Sequence, residues 1–522
     1  MNYADLFRVT LPETALEVAA LLVLVVDLGF LRKAALKVRV AVAALLGVAG
    51  CGAALWAISL QNGHGFFVDG WEVLVVGPVT IIAQVGILVL TALTLLLLIE
   101  ETFTRHVGEF VAVVLMAAVG GLIVSAAQDL LVIFVGLELL SLGLYILTAF
   151  AKSSGKSAEA AMKYYLFGGM SAAFLLFGFS YLYGLSGNTN LAAIEQSIPL
   201  GSMPLLYVAW VLIVAGLGFK VAAVPFHLWA PDTYEGAPAP AAAFIASVSK
   251  VASFALLLGF SFGLFQHGKI FSAPPHLLDE ILQVEFGIWQ SLLRVLIVVA
   301  AASMVVGNLA ALAQVSVRRL LAYSAIAHAG YILLGIATQR PYPGHGSAFY
   351  FTLTTFGPTL RSVNAVLYYV LTYGLTTIGA FGVVSVVERA TGSDRLDSFL
   401  GLHKRNPLLA AVLLVLFLSL AGIPPLVGFW AKFNLFAAVL GVSAGPVPFA
   451  LVALAVALSA VSLYYYLQVL KRAYVMPAVD ETPIKAHPVT LAVLVGIAGA
   501  VVVLGCFPAL LQGWIESFYP PM

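Results

Sequence analysis

The stretch GLGFKVAAVPFHLWAPD, residues 216–232, carries a lysine inside an apolar segment and a proline five residues later. The segment begins near Pro204 with PLLYVAWVLIVAGLGF, which is hydrophobic enough to enter a lipid bilayer. Hydrocarbon does not solvate an ammonium group, and a proline removes one backbone donor and interrupts a helix. The pattern therefore predicts a discontinuous membrane helix in which Lys220 lies beside a break at Pro225.

Composition places the whole chain in the membrane class. Hydrophobic residues make up 62% of its 522 residues and charged residues only 9%, whereas a soluble protein carries about 25% charged residues. The formal charge of +1 comes without a dense basic stretch, so nothing indicates nucleic-acid binding. The two cysteines, Cys51 and Cys506, lie at opposite ends of the chain, and no glycine-rich phosphate-binding motif is present. No metal, cofactor or nucleotide site is therefore expected in this chain.

Apolar runs of membrane-spanning length predict an all-α polytopic fold with fourteen transmembrane helices, since one crossing needs about 20 apolar residues. The runs are 11–31, 38–59, 73–99, 109–127, 129–150, 162–184, 204–227, 240–265, 289–314, 318–337, 363–388, 407–440, 446–470 and 487–512. Two longer connections, 266–288 and 338–362, separate some of them. The basic residues predict the orientation, because seventeen fall on one side and four on the other. Cytoplasmic loops are the richer in Lys and Arg, so both termini are expected on the outer, periplasmic side.

Ionisable residues occur at membrane depth. Lys220, Lys250 and Lys432 lie within predicted spans, and Glu138 lies in the fifth. Each such charge costs at least about 2.5–3.5 kcal/mol to insert. Burial alone lowers the pKa of a lysine and raises that of a glutamate, whereas proximity of the two opposes both shifts. Such groups can exchange protons near neutral pH, and the competing interpretation is a set of static ion pairs that fix helix packing.

Histidines extend this series. His328 lies about ten residues into the tenth span and His227 at the broken end of the seventh. A buried histidine is often only a packing residue, but its ordinary pKa near ~6.5 makes it a candidate relay between lysines. Arg294 lies only five residues from Trp289, so its side chain is expected to reach the membrane surface.

A second break predicts an internal repeat. SLAGIPPLVGFWAKFNLF, residues 419–436, contains the consecutive prolines Pro424 and Pro425, and Lys432 follows seven residues later. The two broken spans are five spans apart, which predicts two inverted five-helix repeats, each with a broken helix. The predicted divisions are 1–108 (spans 1–3), 109–265 (spans 4–8), 289–470 (spans 9–13) and 487–522 (span 14).

The same residues resemble the antiporter-like membrane subunits of respiratory complex I, and within that family its chain N branch. The resemblance rests on PFHLWAPDTYEGAP (225–238), VRRLLAYSAIAHAGYILLG (317–335), YYVLTYGLTTIGAF (368–381), SFLGLHKRNPLLA (398–410) and AGIPPLVGFWAKF (421–433). It covers nearly the whole chain and is strongest over 129–440. The long stretch at 338–362 departs from the family pattern, and its role is open.

The resemblance implies a proton-translocating subunit of an NADH:quinone oxidoreductase in the bacterial inner membrane. It matches Glu138, Lys220, Lys250 and Lys432 to the family's proton-relay residues, and a lysine at 432 distinguishes chain N from chain M, where a glutamate is expected. NADH, flavin, iron–sulfur clusters and quinone would be bound in the rest of the complex, with other antiporter-like and small membrane chains as partners. Two alternatives stay open: a subunit of a multisubunit cation/proton antiporter, and a proton-inert scaffold of the complex.

Overall fold

The computed structural model describes residues 3–61, 65–68, 71–197, 203–263, 278–338, 353–442, 445–478 and 480–519. The end of the predicted first repeat at residue 265 lies outside these residues, as does most of the two long connections. Within them the chain is almost entirely helical, as its composition predicts.

The helices follow the apolar runs. The first eight are α1 (Tyr3–Val9), α2 (Leu11–Val25), α3 (Leu36–Ser59), α4 (Pro78–Leu97), α5 (Val107–Ala126), α6 (Leu130–Thr148), α7 (Gly155–Ser186) and α8 (Leu191–Ser197). The next seven are α9 (Met203–Lys220), α10 (Trp229–Gly236), α11 (Ala239–Ala246), α12 (Val248–Gly263), α13 (Leu278–Leu312), α14 (Val317–Ala337) and α15 (Leu353–Thr391). The last six are α16 (Leu402–Arg405), α17 (Pro407–Ala421), α18 (Val427–Val442), α19 (Pro446–Tyr474), α20 (Pro488–Cys506) and α21 (Ala509–Glu516). Short π- and 3₁₀-helical turns occupy Val26–Phe30, Leu98–Glu100 and Leu396–Phe399.

Local sequence sets many of the helix starts. Asp129, Ser154, Ser316 and Asn406 each cap a helix with a side-chain oxygen that accepts a hydrogen bond from a first-turn backbone N–H. Such caps satisfy donors that have no partner within the helix. Prolines stand in the first turn of α4, α17, α19 and α20, where a missing N–H costs nothing.

Eleven helical segments of the described chain are long and apolar enough to cross a membrane. Three shorter apolar helices, Pro204–Lys220, Pro407–Ala421 and Val427–Gly441, correspond to parts of the two spans predicted to be broken. The eighth predicted span is also interrupted, at Ser247, between α11 and α12. The composition therefore identifies the apolar segments, whereas the positions of the breaks depend on individual residues.

The third predicted run contains a strand that hydropathy does not reveal. An antiparallel pair, β1 (Gly65–Val68) and β2 (Trp71–Val75), precedes α4. The predicted span at 73–99 therefore begins inside β2, and its helix starts at Pro78. A short strand rich in Val and Trp cannot be distinguished from the start of an apolar helix by hydrophobicity alone.

The most buried helices form the centre of the bundle. The segments Ala239–Ser261, Val317–Ala337 and Leu360–Thr391 are almost wholly covered by other helices, whereas Gly155–Ser186 and Pro446–Tyr474 are largely exposed. Small residues allow close helix packing: a Cβ atom at Gly120 would lie 2.5 Å from the backbone N of Leu140. Close backbone approach is the usual basis of helix association in lipid. Because α12 and α14 are central, Lys250 and His328 are carried far from the lipid.

Candidate functional site

The first break comprises residues 221–228, between α9 and α10. Pro225 lacks a backbone N–H, and Ala222 adopts a positive φ of 59°, so the helix cannot continue past Lys220. Two hydrogen bonds hold the break: the Val224 N–H donates to Ser303 Oγ at 2.9 Å, and the Trp229 indole donates to the Phe219 carbonyl at 3.0 Å. The interruption is thus built into the packing of α9 against α13.

Lys220 and Glu138 meet as the sequence predicts. Lys220 Nζ lies 3.7 Å from Glu138 Oε1 and donates a hydrogen bond to Ser141 Oγ, which in turn donates to the Leu137 carbonyl. The lysine side chain is 6% exposed, whereas the glutamate side chain is 26% exposed. The carboxylate therefore lies near an outer face of the bundle, where the neighbouring side chains Val135 and Leu142 are also exposed.

Lys250 is held by backbone carbonyls. Its ammonium group donates to Ala325 O at 2.7 Å and to Val221 O at 3.3 Å, and it lies 5.8 Å from the centre of the Tyr373 ring. Val221 belongs to the first break, so Lys250 takes up a carbonyl that the interrupted helix leaves free. Among the described residues, no carboxylate lies within 4.0 Å of Lys250. The lysine predicted from the eighth span thus joins the break of the seventh.

The second break comprises residues 422–426, between α17 and α18. Gly422 adopts a positive φ of 88°, which favours glycine. Lys432 Nζ donates to Ala421 O at 2.9 Å, to Leu420 O at 3.1 Å and to Ser459 Oγ at 2.8 Å. Within the described chain this lysine also has no carboxylate within 4.0 Å. Dipolar groups at a helix C-terminus therefore hold the ammonium group in place of a counter-ion.

His328 lies between Lys250 and Lys432. Its Nδ1 is 2.8 Å from the Tyr369 hydroxyl, and its Nε2 is 3.4 Å from the Tyr466 hydroxyl. Its ring centre lies 4.8 Å from that of Tyr373. Both ring nitrogens are thus provided with hydroxyl partners that can give or accept a proton.

Aromatic rings complete the connection, and the sequence prediction did not include them. Tyr373 lies between Lys250 and His328, and the Tyr331 ring lies 5.8 Å from His328 and 5.6 Å from Lys432 Nζ. A small cavity beside His328 is lined by Thr372, Thr376 and Ser419, among other residues. The signal that could have found the tyrosines is their helical spacing, because Tyr369 and Tyr373 are four residues apart and Tyr331 is three residues from His328.

Two further residues from the sequence analysis, His227 and Arg294, lie apart from the series Lys220, Lys250, His328 and Lys432. His227, in the first break, is half-buried and makes no hydrogen bond or ion pair to the three lysines in the described part of the chain. The structure therefore does not join His227 to these groups by a hydrogen bond or ion pair. Arg294 is exposed, as expected for a side chain that reaches the membrane surface.

A cluster of charges anchors α10, the helix after the first break. Asp232 receives hydrogen bonds from Lys163 at 2.7 Å and Arg319 at 2.6 Å, and Glu235 receives them from Lys156 and Arg319, both at 3.0 Å. Burial raises the pKa of both carboxyls, but these hydrogen bonds outweigh burial and hold each pKa below its usual value. The charges of the PDTYEG sequence thus tie α10 to α7 and α14.

Comparisons with known proteins cover the residues of this candidate site. Residues 127–273, 280–357 and 346–459 match the family described as "NADH:quinone oxidoreductase/Mrp antiporter, TM". The chain is 46% identical to "NADH-quinone oxidoreductase subunit N 2" of Acidobacterium capsulatum over 533 aligned positions, which cover 99% of each chain.

Solved structures share the fold. A chain of respiratory complex I from Thermus thermophilus with bound aureothin superposes with a TM-score of 0.73 at 32% identity, covering 96% of this chain and 98% of that one. A chain of the Mrp complex from Dietzia superposes with a TM-score of 0.77 at 21% identity, covering 100% of this chain and 98% of that one. At the lower identity the likeness concerns the fold alone.

Proposed function

This chain belongs to the NADH:quinone oxidoreductase/Mrp antiporter membrane family, and on that premise we propose that it translocates protons as a membrane subunit of an NADH:quinone oxidoreductase. The full-length similarity to a subunit N supports this role more directly than the fold does. Electron transfer would take place in other subunits, which would bind NADH, flavin, iron–sulfur clusters and quinone. Its immediate partners would be the neighbouring membrane subunits of that complex.

The proposed architecture has fourteen crossings with both termini on the outer side of the bacterial inner membrane. Spans 4–8 and 9–13 would form the two inverted repeats. The two proline breaks support the repeats, since a backbone carbonyl oxygen beside each break accepts a hydrogen bond from a buried lysine, Lys250 at the first and Lys432 at the second. The excess of basic residues on one side supports the orientation.

In the proposed mechanism, Glu138 and Lys220 form the controlling pair. While the carboxylate is close and charged, it favours the protonated form of Lys220. When the carboxylate moves away or is neutralised, Lys220 releases its proton towards Lys250. A loss of about 1.4 kcal/mol in the attraction changes proton occupancy tenfold, so a modest displacement of α6 is sufficient to act as a switch.

The onward path uses the groups between Lys250 and Lys432. The proton would pass along Tyr373, His328 and Tyr331, with water in the cavity beside His328 bridging gaps that side chains do not close. The observation that carries the proposal is that this interval is occupied by hydroxyl and imidazole groups rather than by leucine side chains. From Lys432 the proton would leave to the outer side.

The test is the number of protons moved per electron by the assembled complex in sealed vesicles. Lys220→Met and Glu138→Gln are expected to lower this ratio while quinone reduction continues. Arg294→Gln, which removes an exposed charge, is the matched control and should leave the ratio unchanged. If the Lys220→Met and Glu138→Gln variants both assemble and pump as the unmodified complex does, the proton-inert scaffold is the correct interpretation.

The same vesicles test the cation/proton antiporter alternative. Without NADH, a sodium gradient should cause no proton movement through the complex. Sodium-dependent proton exchange in the absence of electron transfer, abolished by Lys220→Met, would establish the antiporter function instead.

A further inference from the structure

A second cavity, with a mainly apolar lining and a few polar side chains, lies where the ends of four helices meet, apart from the three buried lysines. Glu101 follows α4, Ala239 and Ala243 belong to α11, Ser385 belongs to α15, and Thr490 lies in the first turn of α20; all of them line it. The basic residue Arg389, also in its wall, is among those that predict the cytoplasmic side. The cavity therefore lies at the predicted cytoplasmic end of the central helices.

The polar groups of this cavity are not all paired with one another. Arg389 is engaged by Glu100, since it donates to the Glu100 carbonyl at 2.7 Å and lies 2.8 Å from its carboxylate. Glu101 Oε1 instead accepts a hydrogen bond from the Ser385 hydroxyl. Thr490 is only 2% exposed, and its hydroxyl has no hydrogen-bond partner in the described part of the chain. A buried hydroxyl without a partner indicates that the cavity holds a small polar guest such as water.

One wall of the cavity belongs to the same predicted span as Lys250. Ala239 and Ala243 lie in α11, which continues after Ser247 as α12, the helix of Lys250, and Phe381 of α15 also lines the cavity. Phe381 is eight residues from Tyr373 on α15, which is about 12 Å along the helix. Beside Phe381 lies Tyr234, with ring centres 5.7 Å apart, and the buried Tyr234 hydroxyl also has no hydrogen-bond partner among the described residues. Two hydroxyl groups without partners among the described residues, those of Thr490 and Tyr234, thus lie near the Phe381 ring.

We propose that this cavity is the proton-uptake site on the cytoplasmic side, with Glu101 as the group that receives the proton. The inference rests on the proposed function and orientation. The Glu101 carboxylate would take a proton from cytoplasmic water and become a carboxylic acid. It would then return to the carboxylate by protonating water in the cavity, and Tyr234 would pass that proton on towards the buried lysines. No electrons are transferred in this step.

The electrostatic surroundings suit this role. Burial raises the pKa of Glu101, while Arg389, the Ser385 hydrogen bond and Arg318 lower it and Glu388 raises it; the net result is a pKa above the usual value. A carboxyl with a raised pKa binds a proton at a pH closer to neutrality than an exposed one does.

The experiment compares Glu101→Gln with Lys250→Met in the whole complex, in sealed vesicles, by protons moved per electron. Glu101→Gln should lower the ratio to the level of Lys250→Met, and Glu101→Asp should restore most of it. Glu481→Gln, at an exposed position on the same side, is the matched control. Proton translocation by Glu101→Gln should also lose part of its dependence on cytoplasmic pH, which a purely structural role would not alter.

The outcomes separate this inference from the proposed function. A low ratio in Lys250→Met together with an unchanged ratio in Glu101→Gln overturns the uptake site alone. Unchanged ratios in both variants overturn the proposed function. If Glu101→Gln does not assemble, Thr490→Val decides, because it removes only the hydroxyl without a partner. A reduced pumping ratio in that variant supports the site, and an unchanged ratio overturns it.

Discussion

The two breaks hold their lysines by different means. At the first break Lys220 is paired with a carboxylate, Glu138, at 3.7 Å, on a face of α6 that the chain itself leaves partly open. At the second break Lys432 is surrounded by two backbone carbonyls and the Ser459 hydroxyl. One ammonium group is therefore balanced by a side-chain charge, and the other by the dipoles of two backbone carbonyls and a hydroxyl.

Because of this difference, the charge environment of the lysine can change more easily at the first break than at the second. A side-chain carboxylate can move or be neutralised while the backbone stays in place, so the electrostatic environment of Lys220 can change. The carbonyls of Leu420 and Ala421 can move only with α17. On the proposed function, the first break would act as the switch, and the second would hold a proton in a constant environment.

The largest effect is expected from reversing charges. Glu138→Lys places two ammonium groups together in a largely buried site, which should cost about 3–5 kcal/mol and remove most of the assembled complex from membranes. The double variant Glu138→Lys with Lys220→Glu restores a pair and should recover assembly. Exchanging charges cannot rescue Lys432→Glu in the same way, because the lysine is held by two carbonyl oxygens and the Ser459 hydroxyl and not by a carboxylate.

The amount of complex in membranes and its apparent melting temperature measure these effects. If the double variant is no better than Glu138→Lys alone, the attraction between Glu138 and Lys220 is not what holds the first break. If a second substitution elsewhere rescues Lys432→Glu, the contrast between the two breaks is wrong.

An intermediate effect is expected from the residues with positive φ. Gly422→Ala forces an alanine into a left-handed conformation, at a cost of about 1–2 kcal/mol. Its Cβ would also lie 3.0 Å from Lys432 Cδ and 3.2 Å from Nζ, so it should displace the lysine. Ala222→Gly at the first break relieves the same backbone strain but raises the conformational entropy of the unfolded chain. The two effects oppose each other, so the free energy of unfolding should change by less than about 1 kcal/mol.

Melting temperature and pumping are the measurements for this pair. Gly422→Ala should lower both, and Ala222→Gly neither. Equal losses in the two variants would show that the breaks tolerate substitution alike, contrary to their different geometry.

The smallest effect is expected from pH at the charge cluster that anchors α10. The folded-state pKa of Asp232 is lowered, so its ion pairs stabilise the protein fully above the unfolded value of about 3.9. This contribution is lost as the pH falls through the folded-state pKa. Because the pairs are partly exposed, Asp232→Asn should cost no more than about 1 kcal/mol at neutral pH.

The variant should differ from the unmodified protein at pH 7 and converge with it towards pH 3, as followed by melting temperature. Asp397→Asn serves as a control, because that carboxylate is 73% exposed and its contact with Arg472 is long, at 3.7 Å. A constant difference across the pH range would mean that Asp232 acts through packing and not through its charge.

Much of the fold was predictable from local signals. The apolar runs, the breaks at Pro225 and at Pro424–Pro425, and the pairing of Glu138 with Lys220 all agree with the structure. The β1–β2 pair was missed, because a short apolar strand and the start of an apolar helix have the same hydropathy. Fourteen crossings and two inverted repeats stay predictions.

The candidate site was predictable only in part. The charged members stood out because charges are rare within the predicted spans and costly to insert, whereas the tyrosines around His328 did not, because a tyrosine in an apolar helix carries no such cost. The role of His227 stays a prediction: the histidine lies in the first break, and among the described residues it makes no hydrogen bond or ion pair to the three lysines. The cavity at Glu101 left no sequence signal.

The amino-acid sequence by itself determined that this is a membrane protein, where its two proline breaks lie and which charges it carries into the apolar layer. Those properties follow from single residues: the cost of inserting a charge and the missing N–H of proline do not depend on distant parts of the chain. Only the tertiary structure decided which groups surround each lysine. Tyr466 and His328, for example, are 138 residues apart and meet through the packing of α19 against α14, and the rotation of one helix against another is set by the whole bundle.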